Sequence, residues 1–225
     1  MEILFRFARR RGLIDNRAEA SIDATGLESH HVSRHFLARA GRTKCYRRYP
    51  KLTMVCHHAS YLIAALRTRY GPSHDAPDFL PAIRQAVAHL PIHRLLGDGG
   101  YDAEEHHRVC REELGIGSTI IPINPRRSKG GRPQTRYRKQ MDRCFPKRLY
   151  GRRWHVESTF SQHKRKLGAA LRSRSDQSRE IECMFRVLAH DLMILPRLFW
   201  VFYKAILLIP VFITERTTLD RYSDA

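Results

Sequence analysis

Three β-patterned segments, 21–28, 51–58 and 60–67, follow one another with no helical period between them. After them the pattern changes. Phe79, Leu80, Ile83, Val87 and Leu90 recur at helical spacing from about Pro77 to Leu90. Residues 93–97 form a short apolar run, Ala103–Leu114 reads as a helix, and Thr119–Ile123 reads as a fifth strand. Strands first in a row and then alternating with helices predict a mixed sheet with helices on its faces, an α/β fold. Two more helices follow, one from about Tyr150 to Leu167 stopped by Gly168, the other from about Gln177 to near Leu195. Residues 1–18 read as the tail of a helix ending at Gly12–Asp15. The 225 residues suffice for one domain with a proper core, and no internal repeat is visible.

The stretch YGRRWHVESTFSQHK, Tyr150 to Lys164, carries the chemistry. At about 100° per residue, Tyr150, Arg153, Glu157 and Lys164 fall on one stripe of a helix. A carboxylate flanked by two cations and a phenol suits a phosphate-bearing substrate with a metal ion. The carboxylate holds the metal; the cations and phenol hold phosphate oxygens.

Two aspartates on other elements are candidate partners. In SIDATGLES, Ser21, Asp23 and Thr25 point one way along a strand, and Ile22 and Ala24 the other. Asp98 ends the apolar run HRLLGD, at the C-terminal end of a strand, where open α/β sheets present their chemistry. Gly99 and Gly100 follow and permit close approach. Two strand aspartates and a helix glutamate make an oxygen-donor set for hard divalent cations, Mg²⁺ or Mn²⁺. Glu28 is a weaker candidate for the edge of this site. Asp102 and Glu105 fit a helix start, with Asp102 as N-cap. Asp75 and Asp78 read as turn and cap residues.

The spacing Y-x2-R-x3-E-x6-K resembles the C-terminal signature of bacterial insertion-sequence transposases of the DDE class, and the resemblance covers roughly residues 15–195. It implies an RNase H-like fold, with Asp23, Asp98 and Glu157 as catalytic metal ligands for two ions. It also implies cleavage of transposon ends and strand transfer into target DNA. By the same resemblance Tyr150, Arg153 and Lys164 grip phosphates near the cleaved end, and the neighbouring cations Lys147, Arg148 and Arg152 extend that grip. A homodimer on DNA, in the cytoplasm and associated with the nucleoid, is the expected setting. The alternatives are an RNase H-like nuclease without strand transfer and an inactive DNA-binding remnant. Relatives carry a helical DNA-binding region before the first aspartate. Here Asp23 lies 22 residues from Met1, so the expected organisation is N-terminally truncated. It comprises a remnant helix at 1–20, a catalytic domain at 21–195 with a basic insertion at 124–149, and an apolar tail at 196–225.

Charge agrees with a polyanionic partner. Lys and Arg number 41 against 22 Asp and Glu, a formal net charge of +19. Twelve of the cations lie between Arg126 and Arg153 with a single acid, Asp142. Gly130, Gly131 and Pro133 make this run read as a mobile basic loop that orders on phosphates. Its aromatics, Tyr137, Phe145 and Tyr150, suit either base stacking or anchorage to the core.

Other classes are disfavoured. The five cysteines, Cys45, Cys56, Cys110, Cys144 and Cys183, show no C-x2-C pair, against a zinc ribbon or a disulfide scaffold. The histidine pairs His30–His31, His57–His58 and His106–His107 are adjacent and diverge, and His31 with His35 has no third ligand. The N-terminus has too short an apolar run for a signal peptide. Leu192–Ile213 has the length of a membrane span, but it carries Arg197 and Lys204, each costing about 2.5–3.5 kcal/mol at a span's centre. A helix packed on the sheet or a subunit interface is expected there instead.

Overall fold

The computed structural model describes residues 1–29, 49–125 and 132–196. In chain order the elements begin with helix α1 (Glu2–Arg10) and strands β1 (Ala18–Gly26), β2 (Glu28–Ser29), β3 (Tyr49–His57) and β4 (Ile63–Gly71). Helix α2 (Ala76–Val87), strand β5 (Ile92–Gly97), the short helix α3 (Glu104–Arg108) and strand β6 (Ser118–Ile120) follow. Helices α4 (Arg136–Arg143), α5 (Lys147–Tyr150) and α6 (Trp154–Leu167) lead to β7 (Ala170–Leu171) and to α7, over 176–196.

Five strands form one sheet in the order β4-β3-β1-β5-β6. The first three pair antiparallel, and β5 and β6 join parallel on the other side of β1. Three antiparallel strands followed by parallel strands reached through helices is the RNase H-like α/β arrangement. The small β2 and β7 pair parallel beside it.

Both sheet faces are covered, and strand parity sorts the residues between them. Ala18, Ala20, Ile22 and Val55 pack with Leu4, Phe5 and Ala8 of α1 and Phe79, Ala82 and Ile83 of α2. Leu52, Met54 and Cys56 pack on the opposite face with Val156 and Phe160 of α6 and Cys183 and Val187 of α7. Since Asp23 pairs with Met54 and Ile22 with Val55, Asp23 belongs to the face that α6 and α7 cover.

Several boundaries differ from the sequence-based expectation for physical reasons. The segment 60–67 begins as a turn: Tyr61 N–H bonds the His57 carbonyl, Tyr61 has φ 60°, and β4 starts only at Ile63. The helix expected over 103–114 is α-helical to Arg108 and then widens into a π turn, Val109–Glu113. Strand β6 stops at Ile120, short of Pro122, which has no N–H to donate to a ladder. The basic insertion is not a plain loop: its described part, from 132, holds α4 and α5. Arg126, Arg127, Lys129, Gly130 and Gly131 of that run lie outside the described residues, as do His30, His31, His35, Cys45 and residues 197–225.

Helix α7 is fastened by carboxylates. Asp191, fully buried, accepts the Ile63 N–H at 3.0 and 3.3 Å, which satisfies the first donor of edge strand β4. Glu182 accepts the backbone N–H groups of Arg172 and Ser173 and a bond from Arg186. Burial raises the Glu182 pKa, but these bonds outweigh it and hold the carboxyl down to about 2. Among the described residues no helix is long and apolar enough to cross a membrane.

Candidate active site

The site is assembled around Arg153. One guanidinium nitrogen, Nη1, donates to Asp23 Oδ2 on β1 at 2.7 Å. The other, Nη2, donates to Glu157 Oε1 on α6 at 2.6 Å. The four-residue spacing of Arg153 and Glu157 puts both on one helix face. The bond to Asp23 spans 130 residues of sequence and joins helix to central strand. Arg153 also shares a side-chain hydrogen bond with Tyr150.

The helix itself is built in steps. Tyr150 ends α5, Gly151–Arg153 is a 3₁₀ turn, and α6 proper starts at Trp154. Backbone dihedrals stay right-handed through the junction, so the chain runs on from Tyr150 into α6 without a reversal. Glu157 lies in the first turn of α6 and Lys164, Arg165 and Lys166 in the last, each sign at the helix end that favours it. Gly168, with φ 90°, ends the helix as its sequence position predicts. Lys164 reaches the Thr25 hydroxyl of β1 at 2.7 Å.

Asp98 comes in from the neighbouring strand. Register pairs Ile22 of β1 with Gly97 of β5, so the next residues along, Asp23 and Asp98, leave parallel strands side by side. Burial raises the Asp23 pKa and the negative charge of Asp98 adds to that rise; the Ala24 N–H and Arg153 oppose both without cancelling them. Burial works against the Arg153 charge, but Asp23, Tyr150, Glu157 and Asp98 together raise its pKa. Burial likewise raises the Tyr150 pKa. Asp98 and Glu157 are exposed, and Asp23 is half-buried. Carboxylates from β1, β5 and α6 thus face one surface with Lys164 and Tyr150.

A family model described as a transposase DDE domain matches residues 17–192. The chain belongs to the DDE transposase family. No curated protein matches it significantly. A solved structure that does match is a cryo-EM structure of the simian T-cell lymphotropic virus intasome in complex with the PP2A regulatory subunit B56 gamma. It is 16% identical with a TM-score of 0.30, and the match covers 65% of this chain and 50% of that one.

Within this DDE domain, the carboxylates are gathered on a guanidinium, not around a common point. Among the described residues, no three His, Cys, Asp or Glu side chains stand close enough together to hold a metal ion. The other cations of the signature region divide into two groups. Arg152 is paired with Glu19 at 2.7 Å, whereas Lys147 and Arg148 are exposed on α5. Glu19 also pairs with Arg94 and faces His58 at 3.6 Å. Burial raises its pKa, but Arg152, Arg94 and His58 outweigh that and lower it.

Glu28 is exposed on β2 and pairs through the backbone with β7, at the margin. Asp75 takes the N-cap position of α2, as expected of it, though without a side-chain cap bond, and the acids at these turns also form ion pairs. Asp102 is fully buried and accepts Arg138 through two bonds of 2.8 Å each, while Ala103 takes the N-cap position of α3. Asp78 accepts Arg69 Nε and Nη2, and Asp75 pairs with Lys51. Glu104, not Glu105, makes the helix-start contacts: it accepts the Tyr137 and Arg138 N–H groups at the start of α4. With Tyr137 O–H donating to Glu112 at 2.6 Å, these bonds fasten the basic segment to α3 and its π turn. Tyr137 therefore anchors this segment, and Phe145 packs on Tyr150 with ring centroids 5.1 Å apart.

Thr25 and Glu19 were missed by sequence reasoning, although both share the strand parity of Asp23. The cysteines Cys56, Cys110, Cys144 and Cys183 are free thiols.

Proposed function

We propose that this chain is the catalytic domain of a DNA transposase, cutting transposon ends and joining them to target DNA with the help of divalent cations. The observation that carries this is the bridge from Asp23 through Arg153 to Glu157, with Asp98 beside Asp23 on the adjacent strand. Three carboxylates distant in sequence are thereby brought to one surface. Their donor atoms are all carboxylate oxygens, which suit Mg²⁺ or Mn²⁺, and the site already draws a cation between two of them. Asp23, Asp98 and Glu157 would hold two such ions. When bound, the ions supply Lewis-acid activation of an attacking oxygen and stabilisation of a leaving one.

The chain's own residues supply position. Lys164, held near Asp23 by Thr25, is a point charge for a phosphate oxygen, and Arg153 offers a planar fork for another. Tyr150 adds a phenol on the same side. Lys147 and Arg148 continue the cationic surface along α5, with Arg152 available once it leaves Glu19. A +19 chain of this kind meets DNA in the cytoplasm, in association with the nucleoid, and two copies would serve two transposon ends.

The test is incubation of the purified protein with its own flanking DNA and Mn²⁺. Cut ends with free 3′-OH groups, followed by products joined to target DNA, are expected. Nicks that never yield joined products would reduce the chain to a nuclease. No metal-dependent cut under any condition would make it a DNA-binding remnant.

A further inference from the structure

Asp23 Oδ2 and Glu157 Oε1 are both engaged by one guanidinium, at 2.7 and 2.6 Å. A guanidinium holds carboxylates at hydrogen-bond distance on separate nitrogens. A hard divalent ion instead needs oxygens converging on one point at about 2.0–2.1 Å for Mg²⁺. With each oxygen on its own guanidinium nitrogen, a cation already occupies the space between the two acids. Among the described residues no three such ligands stand together, and the fork of Arg153 stands between these two acids. Arg153 and Asp23 have side chains only 21% and 20% exposed, so the carboxylate would otherwise sit poorly solvated next to Asp98. Leaving such a charge without a counterion is costly.

We propose that Arg153 is an internal counter-cation that occupies Asp23 and Glu157 and must release them before they can hold a divalent ion. This rests on the metal-site reading above. Its natural alternative acceptor is a DNA phosphate, whose oxygens fit the guanidinium fork as a carboxylate does. DNA that draws Arg153 away frees the carboxylates, so DNA and divalent ion favour each other's binding, and by linkage the effect is reciprocal. The metal site is then completed where a phosphodiester is present to be cut.

The experiment is Mn²⁺ titration, followed by the electron paramagnetic resonance signal of the free ion, on the full chain and on variants whose folding is checked by circular dichroism. Arg153→Ala in DNA-free protein is expected to bind Mn²⁺ about tenfold tighter or more, the scale of releasing two charge-assisted hydrogen bonds. Adding duplex DNA is expected to tighten Mn²⁺ binding to the wild type but to leave Arg153→Ala nearly unchanged. Should Arg153→Ala not fold, Arg153→Gln, neutral and of similar reach, carries the same expectation. Unchanged or weaker Mn²⁺ binding in the Arg153 variant, together with wild-type binding that Asp23→Asn abolishes, overturns the counter-cation role and leaves the metal site standing. Mn²⁺ binding insensitive to both Asp23→Asn and Glu157→Gln in every background overturns the metal site itself, and the counter-cation with it.

Discussion

Lys164 donates to the Thr25 hydroxyl at 2.7 Å, from the last turn of α6 to the central strand. Thr25 is two residues beyond Asp23 and so on the same strand face. Lys164 is seven residues beyond Glu157, two turns along the helix. Together with the Arg153–Asp23 bond at the helix's other end, this contact ties the helix bearing Glu157 to the strand bearing Asp23 at two points.

Replacing Thr25 by Val removes the acceptor at nearly constant volume. A loss of about 1 kcal/mol in stability is expected. Cleavage is expected to fall while binding to random duplex stays unchanged. Thr25→Ser, which restores the hydroxyl, should recover both. Lys164→Ala should weaken binding of the cleaved end more than binding of random duplex, because a phosphate at one place is at stake, not the duplex at large. Melting curves and parallel binding assays on end and random DNA check these outcomes.

Asp23→Asn, Asp98→Asn and Glu157→Gln are each expected to lower DNA cleavage by more than about a hundredfold. Even supporting residues of metal sites act on the scale of about 10–100-fold, and these are proposed as direct ligands. Circular dichroism should be unchanged, since Asp98 and Glu157 are exposed and Asp23 is only half-buried. Near wild-type cleavage in Mg²⁺ for any one of the three removes that residue from the ligand set.

The pair Asp102–Arg138 is a second place where a single change should have a large effect. Asp102 is fully buried and Arg138 nearly so, and their two bonds of 2.8 Å hold α4 against the sheet body. Asp102→Ala leaves a buried guanidinium without that partner, and a cost of about 3–5 kcal/mol is expected. The combined change Asp102→Leu with Arg138→Met should cost much less, because neither charge is then left behind. Chemical unfolding of Asp102→Leu, Arg138→Met and the double variant measures the coupling directly.

What the sequence revealed and what it hid divide along the range of the interactions. The stripe Arg153–Glu157–Lys164 is local, set by helical period, and it survives in the structure. Asp23 follows from the alternation in SIDAT, and the same alternation marks Glu19 and Thr25, which only their partners on α6 and its preceding turn distinguish from ordinary strand residues. The partner of Asp102 is 36 residues away and that of Asp191 is 128 away, so no local pattern identifies either. The basic insertion looked like a solvated loop because its many cations face a single acid, Asp142. Its order comes from Glu104, Glu112 and Asp102, acids that lie outside it. The resemblance assigns Arg153 to a phosphate, whereas its hold on two carboxylates shows only with the strand in place.

Stability is expected to fall on acidification. Burial holds the pKa of His57, His58, His107 and His163 down to about 4, against the usual 6.5. Between those values the unfolded chain takes up protons that the folded chain refuses. Their contribution is thus complete above about 6.5 and is lost as pH drops toward 4. Half-buried Asp23 and buried Asp191, with raised pKa values, act in the opposite sense, favouring the fold as pH falls through the acid range. Neither ring nitrogen of His163 has a hydrogen-bond partner among the described residues. His163→Phe should therefore keep or raise the melting temperature at neutral pH and flatten its decline between pH 6.5 and 4. An unaltered slope would assign the acid sensitivity to the other histidines.

DNA affinity should decline steeply with salt, and under the proposed function particular cations are expected to set the slope. Lys147 and Arg148 are exposed on α5, just ahead of the signature helix, while Arg138 is committed to Asp102. Each phosphate neutralised contributes about −0.9 to the slope of log affinity against log salt on duplex DNA. Changing both Lys147 and Arg148 to Ala should flatten that slope by about 2. The double variant Asp102→Leu with Arg138→Met also removes a cation from the basic run, yet its slope should match the wild type, because the charge it removes is already neutralised inside the fold. Binding measured across a salt series separates the two cases. Equal flattening in both variants would mean that net charge alone governs affinity, and that α5 has no particular place on the DNA.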